Sequence, residues 1–301
     1  MEHWFRPMGL TLKVSTQSSK LASAVCEAYG PLEVQDTESA PDLQFDFAEC
    51  ADRIAYPPEY RVSPERAELR MGDEVVLSVE PSLGVASGCF PSEFVDDRSS
   101  FRLHALHFAL SAALSARGFL GLHAACIVVN GCAVLLRGPH GVGKSVLAYA
   151  ARARGFRVIA GSTVWIAPAD QTWGGIPRWI YLRHSARALF PEMPAVPEVL
   201  IGRERKVELD LGRAFADRAG PGIVVLMERN TAHAAQLDPV SKAEAFRVWP
   251  CGQAGNETTV PDYWTRIARL LDAPCYRLNC SDEIEDVLDL IAAAAQEHWQ
   301  C

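Results

Sequence analysis

The sequence predicts an α/β protein in which a small α+β N-terminal domain precedes a larger domain built around a P-loop. Two observations support this prediction. Apolar runs at 124–129 and 132–136 flank Asn130-Gly131, and the second run leads directly into Gly-x-x-x-x-Gly-Lys-Ser at 138–145. Before residue 100, short segments separated by turn residues indicate strands, whereas an apolar stripe that begins at residue 99 indicates a helix.

The first hundred residues have the pattern of a mostly β unit with one early helix. Leu21, Val25 and Tyr29 fall near one face of a helix predicted over 19–29, which Gly30-Pro31 ends. Gly72-Asp73 lies between two short runs and predicts a hairpin. The predicted strands are 10–14, 42–47, 60–62, 67–71 and 74–79.

The region around residue 100 marks the predicted boundary between the domains. Leucines recur there at three- and four-residue steps, which predicts a helix over 99–117 that Gly118 ends. We therefore assign residues 1–95 to a small N-terminal recognition domain and residues 96–301 to the P-loop domain.

The P-loop domain is predicted to alternate strands and helices after the loop. The run 145–154 is expected to be helical and to stop at Gly155. The predicted strands are 157–159, 164–166, 179–182, 206–209, 223–227 and 276–278. The other predicted helices are 241–248, 263–271 and 284–294.

Composition excludes several classes of protein. The 301 residues are 49% hydrophobic and 22% charged, and no apolar run approaches the roughly 18 residues of a membrane span. The start of the chain lacks the basic and apolar stretches of a signal peptide, so a cytoplasmic location is expected. The nine cysteines form no Cys-x-x-Cys pair, which predicts reduced thiols rather than a disulfide framework or a zinc motif.

Charge is distributed unevenly along the chain. Residues 1–100 contain 8 Lys and Arg against 18 Asp and Glu, a net charge of −10, whereas the other residues contain 21 against 19. This balance argues against a nucleic-acid partner for the N-terminal third. It is compatible with a surface that meets a basic peptide, and equally with a charge that only keeps the protein soluble.

The motif at 138–145 has the chemistry of a phosphate site, the P-loop or Walker A motif. Its glycines let the backbone curl around an anion, and the loop and helix N–H groups then face the phosphates. Lys144 is expected to reach the outer phosphates, and the Ser145 hydroxyl to join the ligands of Mg²⁺. The predicted nucleotide-binding residues are Gly138, Pro139, His140, Gly141, Val142, Gly143, Lys144, Ser145 and Val146.

The hairpin that leads into the P-loop is uncommon among P-loop proteins, and it carries a resemblance. Residues 120–166, which include Leu122-His123-Ala124-Ala125, the P-loop and Gly155-Phe156-Arg157-Val158-Ile159-Ala160, resemble the catalytic domain of HPr kinase/phosphorylase. They are more similar still to the related serine kinases that modify peptides, such as those that phosphorylate lasso-peptide precursors. The resemblance implies an HPr-kinase-like P-loop domain with a fold akin to phosphoenolpyruvate carboxykinase, in which the nucleotide lies on a mixed sheet. It also implies ATP and Mg²⁺ as cofactors.

The resemblance also implies roles for single residues. His123 matches the family histidine just before the hairpin, near the phosphates. The family's two adjacent aspartates, one for the substrate hydroxyl and one for Mg²⁺, fall here on Gly161 and Ser162. Neither residue can act as a carboxylate. The predicted catalytic residues are His123, Lys144, Ser162 and Arg229, and Ser145 is the predicted metal ligand.

Other charged residues are candidates by type. An acid that replaces the missing aspartates could be Asp170, Glu204, Glu208 or Asp210, although each is also typical of a solvated surface. Cations that neutralise the transferred phosphoryl group could include Arg178, Arg183, Arg187 and the basic cluster Arg203, Arg205 and Lys206. Arg229, which follows a buried strand, is the first arginine to test.

Together these features predict an ATP-dependent kinase that phosphorylates a serine of a ribosomally made peptide or small protein. HPr is not the expected acceptor, because the N-terminal third does not resemble the N-terminal domain of HPr kinase. Two alternatives stay open: a nucleotide-binding pseudokinase or regulatory partner without turnover, and a small-molecule kinase. Neither a nucleic acid nor a membrane is an expected partner, and a homo-oligomer is possible.

Overall fold

Backbone pairing between short strands organises both halves of the chain into mixed sheets. The computed structural model describes residues 1–35, 40–50, 58–176, 178–196, 198–201, 204–229, 234–250, 262–281 and 283–299. The chain forms two units, Met1–Phe119 and Leu120–Cys301. Each unit combines helices with a mixed sheet, so the mixed α/β class predicted from the sequence is confirmed.

The N-terminal unit is built on a seven-stranded sheet with the order β1-β2-β3-β7-β6-β5-β4. The central pairs β2–β3 and β3–β7 are parallel, and the outer pairs are antiparallel. The strands are β1 Glu2–Phe5, β2 Leu12–Thr16, β3 Leu43–Cys50, β4 Pro58–Val62, β5 Ala67–Met71, β6 Glu74–Glu80 and β7 Val85–Pro91.

Helix α1, Ser19–Tyr29, covers part of this sheet and begins and ends where the sequence predicts. Its N-cap is Ser18, whose hydroxyl accepts the Leu21 N–H at 3.1 Å and so satisfies one of the unpaired donors of the first turn. The predicted hairpin is present, with Gly72 at a φ of +64° between β5 and β6.

The long helix predicted over 99–117 is a composite. It consists of α3 Arg98–Ser100, a π-helical segment Phe101–Leu106 and α4 His107–Ala116, and a separate short helix, α2 Ser92–Asp96, precedes it. Phe101 is fully buried and packs edge-on against Phe90 of β7, with ring centroids 5.1 Å apart. The buried Tyr29 hydroxyl of α1 donates to the Leu106 carbonyl at 3.1 Å. These contacts place the helix in the core of the N-terminal unit, whereas the sequence-based boundary after residue 95 excludes it.

The C-terminal unit is organised by a six-stranded sheet with the order β11-β9-β10-β18-β20-β19. Strands β9–β10 form an antiparallel hairpin, and β10, β18 and β20 run parallel. A four-stranded sheet, β17-β13-β12-β8, and a three-stranded sheet, β14-β16-β15, complete the unit. The strands are β8 Leu120–Leu122, β9 Ala125–Val129, β10 Cys132–Arg137, β11 Arg157–Ala160, β12 Val164–Ile166, β13 Trp173–Gly174, β14 Trp179–Arg183, β15 Glu198–Ile201, β16 Glu204–Asp210, β17 Arg218–Ala219, β18 Ile223–Arg229, β19 Gln236–Val240 and β20 Cys275–Cys280.

Helices and the smaller sheets cover the six-stranded sheet on both faces. The helices of this unit are α5 Lys144–Ala153, α6 Lys242–Arg247, α7 Tyr263–Leu270 and α8 Ile284–Trp299. Alternate residues of β10 serve the two faces, as strand geometry requires. Val134 and Leu136 share a core cluster with α5 and α8, while Ala133 and Leu135 share another with α7.

The hairpin that identifies this unit in the sequence is present at the predicted place. Asn130 and Gly131 have φ values of +50° and +92°, the pair of positive values that a two-residue hairpin turn of this type requires. The predicted strands and helices of this unit are all present within a few residues. Across the described ranges, no helix is both long enough and apolar enough to span a bilayer.

The two possible boundaries can be separated by truncation. A fragment of residues 1–119 is expected to unfold cooperatively in urea, because it keeps Phe101 and the buried helix. A fragment of residues 1–95 loses that helix, and with it the edge-on packing on Phe90, so it should show no cooperative transition by circular dichroism. Equal cooperativity of the two fragments would contradict the placement of the helix in the N-terminal core.

Candidate functional site

The P-loop joins the end of β10 to the start of α5. Gly143 is the N-cap of α5 and has a φ of +114°, a value that a side chain would strain. Gly138 passes so close to β18 that a Cβ there would lie 2.5 Å from the Met227 carbonyl oxygen. Without a capping side chain, the first N–H groups of α5, through Val146, have no intrahelical acceptor. The strand, loop and helix thus form a site suited to an anion.

The two polar side chains at the start of α5 are already held in place. Lys144 is 5% exposed, and its Nζ donates to the carbonyls of Gly138 and Pro139 at 2.8 and 3.0 Å. The Ser145 hydroxyl donates to the Gly161 carbonyl at 2.6 Å. The lone pairs of the Ser145 oxygen therefore stay available to a cation, while its hydrogen fixes the connection after β11.

Positions 161 and 162 differ sharply in the space around them. Gly161 is buried, and a Cβ there would lie 2.6 Å from Cγ1 of Ile180. Ser162 is exposed. Position 161 beside the P-loop thus has no room for a carboxylate side chain, whereas position 162 has room for one.

The structure brings His123 to the P-loop. The His123 ring stacks on that of His140, with centroids 6.1 Å apart and planes 21° from parallel. His123 precedes β9, and its carbonyl accepts a hydrogen bond from Arg137 at 2.7 Å. The predicted neighbourhood of His123 and the loop is therefore observed, while its catalytic role stays a prediction.

Arg137, for which the sequence predicted no role, lies at the base of the loop and links it to neighbouring segments. It is fully buried at the end of β10, directly before Gly138. Its guanidinium donates to the carbonyls of His123 and Pro250 at 2.7 and 2.6 Å and lies over the Trp249 ring at 5.1 Å. Burial of a cation is costly unless such partners satisfy it. The only signal in the sequence is an arginine that ends an apolar strand.

A charged cluster from the three-stranded sheet lies against the P-loop. Nη2 of Arg183, at the end of β14, donates to Glu204 at 2.6 Å and to Nδ1 of His140 at 3.2 Å. Nη1 of the same guanidinium lies 3.4 Å from the position that a Cβ on Gly141 would take. Nζ of Lys206, two residues further along β16, lies 3.7 Å from Oε2 of Glu204. The hydrogen bond from Arg183 lowers the pKa of Glu204, which therefore stays ionised at neutral pH.

Glu204 is the one of the four candidate acids whose described contacts reach the loop, with its carboxylate 3.8 Å from Nε2 of His140. Asp170 accepts the Thr172 N–H and shapes its own turn. Glu208 accepts the Tyr181 hydroxyl hydrogen at 2.7 Å, and Asp210 is paired with Arg178 at 3.0 Å. The structure thus narrows a choice that the sequence left open.

The candidate cations separate in the same way. Arg178 binds Asp210, and Arg187 donates to the Met193 and Pro194 carbonyls. Arg203 lies outside the described residues. Arg229 is exposed at the end of β18, where it pairs in register with Cys280. Because β18 runs parallel to β10, the carboxyl ends of the two strands lie side by side, and Arg229 is at the same end of the sheet as the P-loop.

Comparisons with known proteins add little. No protein-family model matches the chain, and no curated protein matches it. Among solved structures, the HPr(Ser) kinase/phosphatase from Coxiella burnetii is similar over 60% of this chain and 90% of that chain, with 12% sequence identity and a TM-score of 0.33. Likeness at this level carries no argument about fold or function, and both are argued from the residues themselves.

Substitutions at the two adjacent positions should behave differently. Gly161→Ala is expected to lower the free energy of unfolding by about 1–3 kcal/mol, because the added methyl group meets Ile180 in a packed region. Ser162→Asp should change it by no more than about 0.5 kcal/mol, as at other exposed sites. Urea denaturation of the two variants beside the parent measures both values. A Gly161→Ala protein as stable as the parent would refute the packing described for this position.

Proposed function

We propose that the C-terminal unit binds the phosphates of ATP and transfers the γ-phosphoryl group to a serine hydroxyl of a ribosomally made peptide or small protein. The observation that carries the proposal is the strand–P-loop–helix junction at 137–145, with cations on both sides of it. The resemblance of residues 120–166 to peptide-modifying serine kinases supports the choice of acceptor. The acidic N-terminal unit supports a basic peptide over a neutral metabolite.

The loop N–H groups and Lys144 would hold the phosphates. Lys144 Nζ would exchange its hydrogen bonds to Gly138 and Pro139 for phosphate oxygens, a change that keeps its donors satisfied. Arg183 would bind an outer phosphate through Nη1, because Nη2 is occupied by Glu204 and His140. A guanidinium fixed on one side and open on the other is suited to this task.

The residues at the loop fit Mg²⁺ in part. The Ser145 oxygen is a suitable hard ligand, and phosphate oxygens and water would provide others, as is usual for this ion. Bound Mg²⁺ would help neutralise the charge of the transferred group. The carboxylates that usually accompany such a hydroxyl are absent at positions 161 and 162. Of the four candidate acids, Glu204 is the one with a described contact to a loop residue, His140.

The transfer itself would be an in-line displacement. The serine oxygen forms a bond to the γ-phosphorus while the bond to the β,γ-bridging oxygen breaks, so that ADP leaves. We assign the receipt of the hydroxyl proton to Glu204, which is ionised and lies beside His140 at the loop. Arg183 and Lys144 would stabilise the charge that spreads over the phosphoryl oxygens. His123, stacked on His140, would orient that ring, and Arg229 would add positive charge from the neighbouring strand.

The absence of carboxylates at positions 161 and 162 also suggests a second candidate function. Without carboxylates at 161 and 162, the protein could bind ATP as a regulatory partner and turn it over slowly or not at all. Ser162→Asp separates the two functions, because a general base contributes roughly 10²–10⁴-fold to rate. A large gain of ATP turnover in this variant indicates a chain in which the missing aspartate limits catalysis. Equal turnover above background in parent and variant favours Glu204.

The first prediction from the proposed function concerns nucleotide binding. Lys144→Ala is expected to weaken ATP binding by roughly 10- to 100-fold, because a charged hydrogen bond contributes about 1.5–3 kcal/mol. Arg183→Ala should weaken ATP more than ADP, because it is expected to contact the outermost phosphate. Titration calorimetry with ATP–Mg²⁺ and ADP–Mg²⁺ measures both effects.

Arg178→Ala is the matched control for Arg183. It removes an arginine paired with an acid of the same sheet, roughly 16 Å away along β14 at about 3.3 Å per residue. This variant should bind both nucleotides like the parent. Unchanged ATP affinity in a folded Lys144→Ala protein would remove the basis for the P-loop assignment.

The acceptor is the second prediction. Incubation with ATP–Mg²⁺ and basic precursor peptides should add one phosphate to a peptide, detected by mass spectrometry and abolished when the peptide serine is changed to alanine. The Lys144→Ala protein is the negative control. Added salt should slow the reaction, since charge acts mainly on the capture rate. Phosphorylation of free serine or a sugar, with none on peptides, would instead identify a small-molecule kinase.

A further inference from the structure

Three side chains with metal-binding atoms converge in the N-terminal unit. They are His3 on β1, Cys26 on α1 and Glu33 in the extended segment that follows α1. One ligand atom of each lies within 4.8 Å of the others, and Nδ1 of His3 is 3.3 Å from Sγ of Cys26. In a tetrahedral zinc site, bonds of about 2.0 and 2.3 Å separate nitrogen and sulfur by roughly 3.5 Å. The observed distance is already close to that value.

Backbone pairing explains why these three residues meet. The segment with Glu33 joins β1 as an antiparallel partner, with Phe5 opposite Glu33 and with the Val34 N–H donating to the Trp4 carbonyl at 2.9 Å. His3 and Phe5 are two residues apart on β1 and share a face of the strand. These residues therefore approach one another through regular pairing of the backbone.

Helix α1 supplies the third ligand to the same face. The Phe5 ring packs on Tyr29 with centroids 5.6 Å apart. Tyr29 lies one helical turn after Cys26, so the two side chains point in similar directions. The face of the helix that contacts Phe5 thus also presents the Cys26 thiol to His3.

The electrostatic setting favours a cation. A thiol, an imidazole and a carboxylate lie together here, and each offers lone pairs to a cation.

We propose that His3, Cys26 and Glu33 bind one Zn²⁺ ion. Thiolate and imidazole ligands select zinc over magnesium or calcium, which prefer oxygen alone. Three protein ligands leave a fourth position, which water can occupy because Glu33 is exposed. The ion would link the first strand, the first helix and the segment between the helix and β3. This proposal is independent of the nucleotide site.

The test uses the full chain without an affinity tag, since histidine tags bind the same ions. Cobalt(II) is titrated first, because a cobalt–thiolate bond gives a charge-transfer absorption that other ligands do not give. We expect one equivalent of Co²⁺ to produce this band and Zn²⁺ to displace it. Zinc should also raise the melting temperature of the protein, since an ion that binds the folded state stabilises it.

Four variants make the test specific. Cys26→Ser should abolish the charge-transfer band, and His3→Gln and Glu33→Gln should each weaken Zn²⁺ binding by at least about tenfold, the smallest effect expected even for an outer-shell partner. Cys89→Ser removes an exposed cysteine of the same unit and should change neither band nor affinity. Circular dichroism confirms that each variant is folded.

Two results would overturn the proposal. One is an absence of the thiolate band in the parent at saturating Co²⁺. The other is a Zn²⁺ affinity that Cys26→Ser and Glu33→Gln leave unchanged, which would locate the ion elsewhere on the chain. If Cys26 serves only packing, its substitution would lower the melting temperature equally with and without zinc.

Discussion

The candidate site depends on the way in which β10 is held in the six-stranded sheet. Antiparallel pairing with β9 fixes one edge of the strand, and parallel pairing with β18 fixes the other. The chain leaves the strand at Arg137 with so little space above Met227 that only glycine fits at position 138. Helix α5 then packs against the same sheet, and its Leu147 and Ala148 are buried in the core between helix and sheet. The positions of Lys144 and Ser145 follow from this geometry.

Charge around the loop is arranged before any ligand arrives. Arg137 is buried with its donors on two carbonyls, and Arg183 is held by Glu204 and His140 at the loop surface. The hydrogen bond from Arg183 lowers the pKa of Glu204, so the two side chains form an ion pair at neutral pH. Positive charge and unpaired helix N–H groups are therefore already gathered at the loop, an arrangement suited to stabilising an anion.

Local patterns in the sequence predicted much of the fold. The helix at 19–29, the two hairpins and the strand–loop–helix junction each carry their own turn or periodicity signal. Strand β19 was missed because it contains Pro239, which is tolerated only because the strand lies at the edge of the sheet. Strand β7 was missed because its small residues, including Gly88, give no clear alternation.

The candidate site, too, was only partly predictable from the sequence. The nine loop residues were predictable from one motif, whereas the partnership of Arg183 and Glu204 was not. These two residues come from strands of a separate sheet, and they are 21 positions apart from each other and about 40 or more from the loop start in sequence. Their type made them candidates, but only tertiary packing could distinguish them from Arg178 and Asp210, which form a similar pair at the other end of the same strands.

The hydrogen bond from Ser145 ends on the carbonyl of Gly161, not on a side chain. A contact of this kind is indifferent to which amino acid occupies the position, provided that Ile180 leaves room for it. A change of side chain at residues 161 and 162 can therefore alter the chemistry beside the loop while the backbone contact that positions Ser145 is kept.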